Sequence, residues 1–294
     1  NAGTAIITNS IFNNNLASSK GGAIYNLGIL KIVADNSGVS SFTDNSANGV
    51  SNALYLASGT TYLNSGNSGV ITFNDKINSF ANSNIIEINK ALVTSNFAGT
   101  TFAPTDGIIN LYNDISTATL NIYNGTTNFG NSGLSANINE NNVLFNITGG
   151  TQNFIKTTLL NGSRITINDA TPTAPEYVSF ANSIFNGNSY TGSGGAINLT
   201  SGTVNLNTSD FSNYIASVNG GAIYNLGTVT DTGSTFTSNS AVNGGAVYTT
   251  GIFDDPDTTF TLNSATDGGA IYNTGTTTIT NSTFTNNIAT ANGG

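Results

Sequence analysis

The sequence has no cysteine, histidine, methionine or tryptophan, and only 7% of its 294 residues are charged. Without cysteine there are no disulfides, no thiolate metal sites and no cysteine nucleophile. Without histidine the commonest general base and the commonest nitrogen ligand for metals are missing, and no Ser-His pair exists. Six Lys plus Arg stand against fifteen Asp plus Glu, a net charge of −9. The cations are scattered singly and none follows Arg164, so no basic stripe is present to neutralise phosphates. Nucleic acid and anionic membranes are therefore not expected partners. No apolar run approaches the roughly 20 residues of a transmembrane helix, and no basic-then-apolar leader opens the stretch.

What is present is small, polar and repetitive. The chain holds 34 glycines, and Asn, Thr and Ser fill most of the polar remainder, while Ile, Val, Leu and Phe recur at regular positions. That regularity separates it from a disordered chain of low charge. The motif Gly-Gly-Ala-(Ile/Val)-Tyr begins at Gly220, Gly244 and Gly268, a step of 24 residues each time. Phe-x-x-Asn runs in phase with it at Phe236/Asn239, Phe260/Asn263 and Phe284/Asn287. The same pair occurs at Phe12/Asn15 ahead of Gly21, and at Phe185/Asn188 ahead of Gly194. Two departures stand out. Phe211 leads to Tyr214 where Asn belongs, and Phe42/Asn45 leads to Ser51-Asn52-Ala53-Leu54-Tyr55, which keeps Ala-apolar-Tyr without the glycines. Two motifs locked to one period indicate stacked structural units.

The period is that of strands. Short alternating runs bounded by Gly, Asn and Ser fill each repeat, and no 3.6-residue apolar spacing survives. Poor helix formers occupy the gaps. In the last repeat three pieces stand out, 269–272, 276–280 and 282–285, too short for hairpin arms. The expectation is an all-β, right-handed, single-stranded parallel β-helix (a solenoid) of roughly eleven coils, with like residues stacked about 4.8 Å apart over a length of about 50 Å. The right hand follows from the preference of parallel crossovers.

Stacking assigns each repeated residue a role. Ile24, Ile223, Val247 and Ile271 point inward. Phe12, Phe236, Phe260 and Phe284 form internal aromatic stacks, and Asn15, Asn239, Asn263 and Asn287 ladder at a turn and bond neighbouring backbone. The glycine pairs Gly21/Gly22, Gly220/Gly221, Gly244/Gly245 and Gly268/Gly269 allow positive φ and a corner that a side chain would block. Tyr25, Tyr224, Tyr248 and Tyr272 alternate away from the inward position, which predicts an exposed tyrosine row.

Regular coils are expected over 1–60 and 181–294. Over 61–180 the motifs fade but phenylalanine continues at Phe73, Phe102, Phe129, Phe154 and Phe180, so these residues read as degenerate coils with longer loops within one continuous β-helix, 1–294. A turn-rich insertion at 170–176 interrupts it. The chain reads as a fragment of a longer protein, with any anchor elsewhere.

GGA(I/V)Y alternating with FxxN resembles the repeat pair of the polymorphic outer-membrane proteins, passengers of bacterial type V autotransporters. The resemblance covers about 1–60 and 181–294 by motif and the middle by period alone. It implies a surface-exposed, non-enzymatic, adhesin-like passenger at the bacterial cell surface, anchored by an outer-membrane region outside this stretch, with a protein or glycan on another cell as partner. It carries over no catalytic residue and no cofactor.

Two other functions stay open. Parallel β-helices include polysaccharide lyases and hydrolases, which need gathered carboxylates. The one dense acidic group is Asp254, Asp255 and Asp257, with Asp267 after the turn, an all-oxygen set of the kind that holds Ca²⁺ or simply solvates a loop. The third function is a structural spacer or surface-fibre subunit, self-associating end to end or laterally through exposed coil edges. The tyrosine row likewise reads either as a stacking platform for sugars or proteins or as plain cross-coil packing.

Overall fold

The computed structural model describes residues 1–66, 68–90, 107–134, 137–168, 177–187 and 189–294. Among them there is no helix; every named element is a strand. The chain divides into two compact units, Asn1–Leu134 with Ile138–Asn153, and Phe154–Gly294, to which Asn137 also belongs.

In the first unit three ladders of parallel strands recur in rotation. One runs through Thr4–Thr8, Ile29–Ala34, Thr60–Ser65, Ile85–Ile88 and Ile115–Ile122. The next runs through Ile11–Asn13, Val39–Thr43, Val70–Phe73, Ile108–Leu111 and Thr126–Phe129. The third joins Ile24–Asn26, Leu54–Leu56 and Ile77–Ser79. Chain order visits the three faces cyclically, which is the winding of a parallel β-helix. One antiparallel piece interrupts it: Ser46–Ala47 pairs with Val50–Ser51 across Asn48 and Gly49, both at positive φ. That Asn-Gly hairpin sits in the coil whose glycine pair is lost.

The second unit repeats the plan with motifs in full register. Ile197–Leu199, Ile223–Asn225, Val247–Thr249 and Ile271–Asn273 form one face. Thr203–Asn207, Thr228–Thr232, Ile252–Pro256 and Thr276–Thr280 form the second. Asp210–Ser212, Thr235–Thr237, Thr259–Thr261 and Thr283–Thr285 form the third. The three strands expected in the last repeat are all present, each within a residue or two of its expected bounds.

In the coils of Phe211, Phe236 and Phe260 three corners close the turn, and each uses a left-handed residue. In the coil of Phe260 they are Asp257 (φ 62°), Leu262 (φ 58°) and Gly268 (φ 64°). The corresponding residues one coil earlier are Gly233, Ser238 and Gly244, and one coil later Asn281 and Asn286 take the first two places. Asn, Asp and Gly tolerate this region best, and eleven of the twenty non-glycine residues at positive φ among the described residues are asparagine.

Side chains alternate in and out along most strands, with Val178 and Phe180, or Phe253 and Asp255, pointing in. Phe42, Phe73, Phe129, Phe211, Phe236 and Phe260 are all fully buried. Two features of the phenylalanine series differ from expectation. Leu111, not Phe102, pairs with Phe73 and in turn with Phe129; Phe102 lies outside the described residues, as do Asn188 and the 170–176 insertion. Phe154 and Phe180 stack on each other at 4.7 Å, but Phe180 meets Phe185 edge-on at 69° and pairs with Leu206 on the next coil. Within the second unit they lie in a different internal column from Phe185, Phe211, Phe236, Phe260 and Phe284.

Candidate binding face and buried carboxylates

The Gly-Gly-Ala-(Ile/Val)-Tyr strand begins at a corner where the two glycines do different work. The first is left-handed, with φ of 62°, 60°, 66° and 64° at Gly21, Gly220, Gly244 and Gly268. The second corrects the expectation from sequence: Gly22, Gly221, Gly245 and Gly269 are not among the positive-φ residues. These four are glycine for want of space instead. A Cβ on Gly22 would run into the backbone of Ser46 on the next coil, one on Gly221 into the carbonyl of Gly245, one on Gly245 into that of Gly269, and one on Gly269 into the backbone of Ile288. Ile223 and Val247 follow, fully buried, while Ile24 and Ile271 are half-buried.

Tyr224, Tyr248 and Tyr272 then lie over one another, rings 5.3 Å apart and tilted by 14° and 3°. Tyr25 and Tyr55 repeat the arrangement in the first unit at 5.5 Å. The row is less exposed than its sequence position suggests. Tyr25 shows 39% of its surface, but Tyr224, Tyr248 and Tyr272 are half-buried, because each ring lies flat against its neighbour. What remains accessible is a strip of ring edges and hydroxyls. Lys20 adds a charge to the first-unit pair: its Nζ donates to the Tyr55 hydroxyl at 3.0 Å and sits 4.5 Å over the ring.

On the third face the rings of Phe185, Phe211, Phe236, Phe260 and Phe284 pile up at 4.2 to 5.0 Å. Phe284, on the last coil, is 45% exposed. In the first unit Phe12 stacks on Phe42 at 4.8 Å and is half-buried. The asparagines that follow act as the expected ladder. Asn263 Nδ2 donates to the Phe236 carbonyl at 2.9 Å and to Asn287 Oδ1 at 2.9 Å. Asn239 makes the same bonds one coil earlier, to Phe211 and to Asn263. In the first unit Asn15 donates to Asn45, and Asn45 donates to Phe12 and to Asp75. Tyr214 breaks the ladder by size: it is buried, and a Cβ on Gly187 or Gly195 would overlap its ring.

The four candidate acidic residues do not converge. Asp254 and Asp255 are consecutive on one strand and therefore face opposite ways, Asp254 exposed and Asp255 buried. Asp257 is an exposed corner residue, and Asp267 accepts from Asn292 Nδ2 at 2.6 Å. Among the described residues no group of three or more His, Cys, Asp or Glu is placed to hold a metal ion.

Asp255 instead has an internal neighbour that was not singled out from sequence. Thr230 pairs with Asp254 on the adjacent coil, so Asp231 lies in register with Asp255. Both carboxylates are fully buried, and their four oxygens make no hydrogen bond of good geometry, although the hydroxyls of Ser234 and Thr258 approach Asp231 and those of Thr258 and Ser282 approach Asp255. Burial pushes Asp231 up to about 7 against the opposing pull of the Ser234 hydroxyl, with the Asp255 charge adding to the rise and Thr258 subtracting a little. Asp255 is raised by burial too. The signal was available: Val229-x-Asp231 and Phe253-x-Asp255 put an acid two residues beyond an inward apolar residue, 24 apart.

The first unit holds a second buried acid. Glu140 is completely buried, accepts from the Ile115 N–H at 3.2 Å, and is raised well above its ordinary value by burial and by Asp114. Asp114 is itself paired with Lys76 at 2.6 Å. In the second unit the Arg164 guanidinium donates to the carbonyls of Ser193 and Gly194, both at 2.9 Å, and lies 4.1 Å over the Tyr190 ring.

Comparison with known families finds one match. The Chlamydia polymorphic membrane protein repeat corresponds to residues 9–27, 233–250 and 257–274. These are the segments holding Phe12 through Tyr25, the coil from Gly233 through Tyr248, and the coil from Asp257 through Tyr272. No curated protein and no solved structure matches the chain.

Proposed function

Because this chain carries the polymorphic membrane protein repeat on a parallel β-helix, we propose that it is a segment of a surface-exposed passenger whose work is adhesion rather than catalysis. Its ligand is a glycan or protein on another cell, met along an extended face. The repeat supports the surface setting. The tyrosine ladder carries the adhesive reading: three parallel rings at 5.3 Å on a rigid strand ladder present hydroxyls and ring edges at low entropic cost. Many weak contacts along such a face add up when the protein is displayed in many copies.

The test is binding of the purified protein to cultured cells and to a glycan array. The expected result is saturable binding, weakened by about tenfold or more in a Tyr224→Ala, Tyr248→Ala, Tyr272→Ala triple variant that keeps its strand signature by circular dichroism. Absence of binding by the parent, or equal binding by the variant, contradicts the proposal.

A further inference from the structure

The buried carboxylate pair lies beside the one Asp-Pro bond in the chain. Of the four prolines, only Pro256 follows an aspartate, and that aspartate is Asp255. We propose that the Asp255–Pro256 peptide bond cleaves itself, with Asp255 attacking its own carbonyl carbon and Asp231 protonating the departing proline nitrogen.

Three observations set this up. First, the Asp255 carboxylate is buried and its oxygens make no hydrogen bond of good geometry beyond the weaker approach of the Thr258 and Ser282 hydroxyls, so little must be broken before it attacks. Second, the carbonyl that would be attacked is already polarised: Ser282 Oγ donates to the Asp255 carbonyl oxygen at 2.9 Å. Charge develops on that oxygen when the tetrahedral adduct forms, and a fixed donor there stabilises it. Third, the leaving nitrogen faces the coil of Asp231. In a parallel ladder the N and O of one residue point to the same neighbour, and the Pro256 carbonyl accepts from the Gly233 N–H at 3.1 Å. The proline nitrogen has no hydrogen of its own to donate there, and the Asp231 side chain lies on that neighbouring strand, in register with Asp255.

Two carboxyl groups held this close in a dry interior share one proton. The pair therefore supplies one carboxylate as nucleophile and one carboxylic acid as proton donor at the same time. An oxygen lone pair of Asp255 forms the new C–O bond and closes a five-membered ring. The C–N bond then breaks, its electron pair staying on the Pro256 nitrogen, which takes the proton from Asp231. The products are a cyclic anhydride at residue 255 and a new prolyl amine. Water opens the anhydride to the free α- and β-carboxyls of Asp255, and Asp231 regains a proton from solvent. The net change is hydrolysis of one peptide bond. Because Ile252–Pro256 is laddered to strands on both sides, the nicked ends stay in the fold.

The experiment follows the intact mass of the folded full chain at pH 6 over days, beside the same chain unfolded in urea. The expected products are 1–255 and 256–294, appearing in the folded sample about tenfold or more faster than in urea, since only the fold aligns donor, acid and nucleophile. Asp231→Asn slows cleavage by about tenfold, Ser282→Ala by a similar factor, and Pro256→Ala abolishes it. Should Asp231→Asn lose the fold, Ser282→Ala at its half-buried corner carries the same comparison. A folded chain that stays whole, one that cleaves no faster than the unfolded chain, or folded variants that cleave at the parental rate overturn the proposal.

Discussion

Leu262 shows what a single residue contributes to this architecture. It occupies a left-handed corner at φ 58° with 53% of its surface exposed, where the coil before has Ser238 and the coil after has Asn286. A branched hydrophobic side chain that stays about half exposed gains little from packing here and holds a backbone conformation that costs about 1 kcal/mol or more outside Gly and Asn. Leu262→Asn is therefore expected to stabilise the protein by roughly 0.5–1 kcal/mol, read as a rise in Tm; an unchanged or lower Tm contradicts the corner assignment. The same logic separates the glycines of each pair. The first answers to φ, the second to the backbone of the next coil, and neither tolerates a side chain.

At the scale of the strand, the informative element is Ile252–Pro256. Its alternation puts Phe253 and Asp255 inside and Ile252 and Asp254 outside, and the buried acid stacks on Asp231. A carboxyl that keeps its proton in the fold to about pH 7 releases it near pH 4 in the unfolded chain. The folded state thus binds more protons than the unfolded one across that interval, and stability falls as pH rises through it. The stabilisation is fully present below about pH 4 and lost by about pH 7, a swing of at most about 4 kcal/mol. Glu140 acts in the same direction. The charged groups that act on the pair are the two acids themselves and, from the outer face, Asp254, with the hydroxyls of Ser234, Thr258 and Ser282 beside them, and the chain has no Lys or Arg beyond Arg164. Thermal melts from pH 8 to pH 5 are expected to show a rising Tm, and Asp231→Asn to raise the Tm at pH 8 and flatten the dependence. A parent whose Tm falls steadily on acidification over that range contradicts the buried pair.

The same strand shows why sequence reading succeeded for the frame and stopped short of the interior. Period, motif and alternation placed Ile223, Val247, Phe236, Phe260 and the Asn239–Asn263–Asn287 ladder, because stacking makes every coil a copy and copies are visible as repeats. From composition Asp255 belongs to an acidic loop, a Ca²⁺ set or a solvated one, because three acids in four residues resemble either. Strand alternation, not composition, decides which of them is buried. Gly22 and its equivalents show a similar limit, since a repeat marks a position as glycine without telling a backbone angle from a close approach. Phe102 fits the period, yet the register passes from Phe73 to Leu111, since an insertion shifts spacing without disturbing the ladder.

For each unit as a whole, stability is a sum of coil-on-coil contacts, each coil touching only its neighbours. Rings, asparagines and hydroxyls repeat along the axis, so the outside carries ordered rows, which suits recognition along a face. All of this depends on like residues lying one coil apart in parallel. The absence of cysteine makes that directly measurable. Thr237 and Thr261 are register partners, and Thr261 and Thr285 likewise; one coil spacing is within disulfide reach, whereas two are not. In the cysteine-free background, Thr237→Cys with Thr261→Cys is expected to oxidise to an intramolecular disulfide while the strand signature is retained, and Thr237→Cys with Thr285→Cys is expected to stay reduced. Failure of the first pair to close, or closure of the second as readily as the first, contradicts the parallel coil.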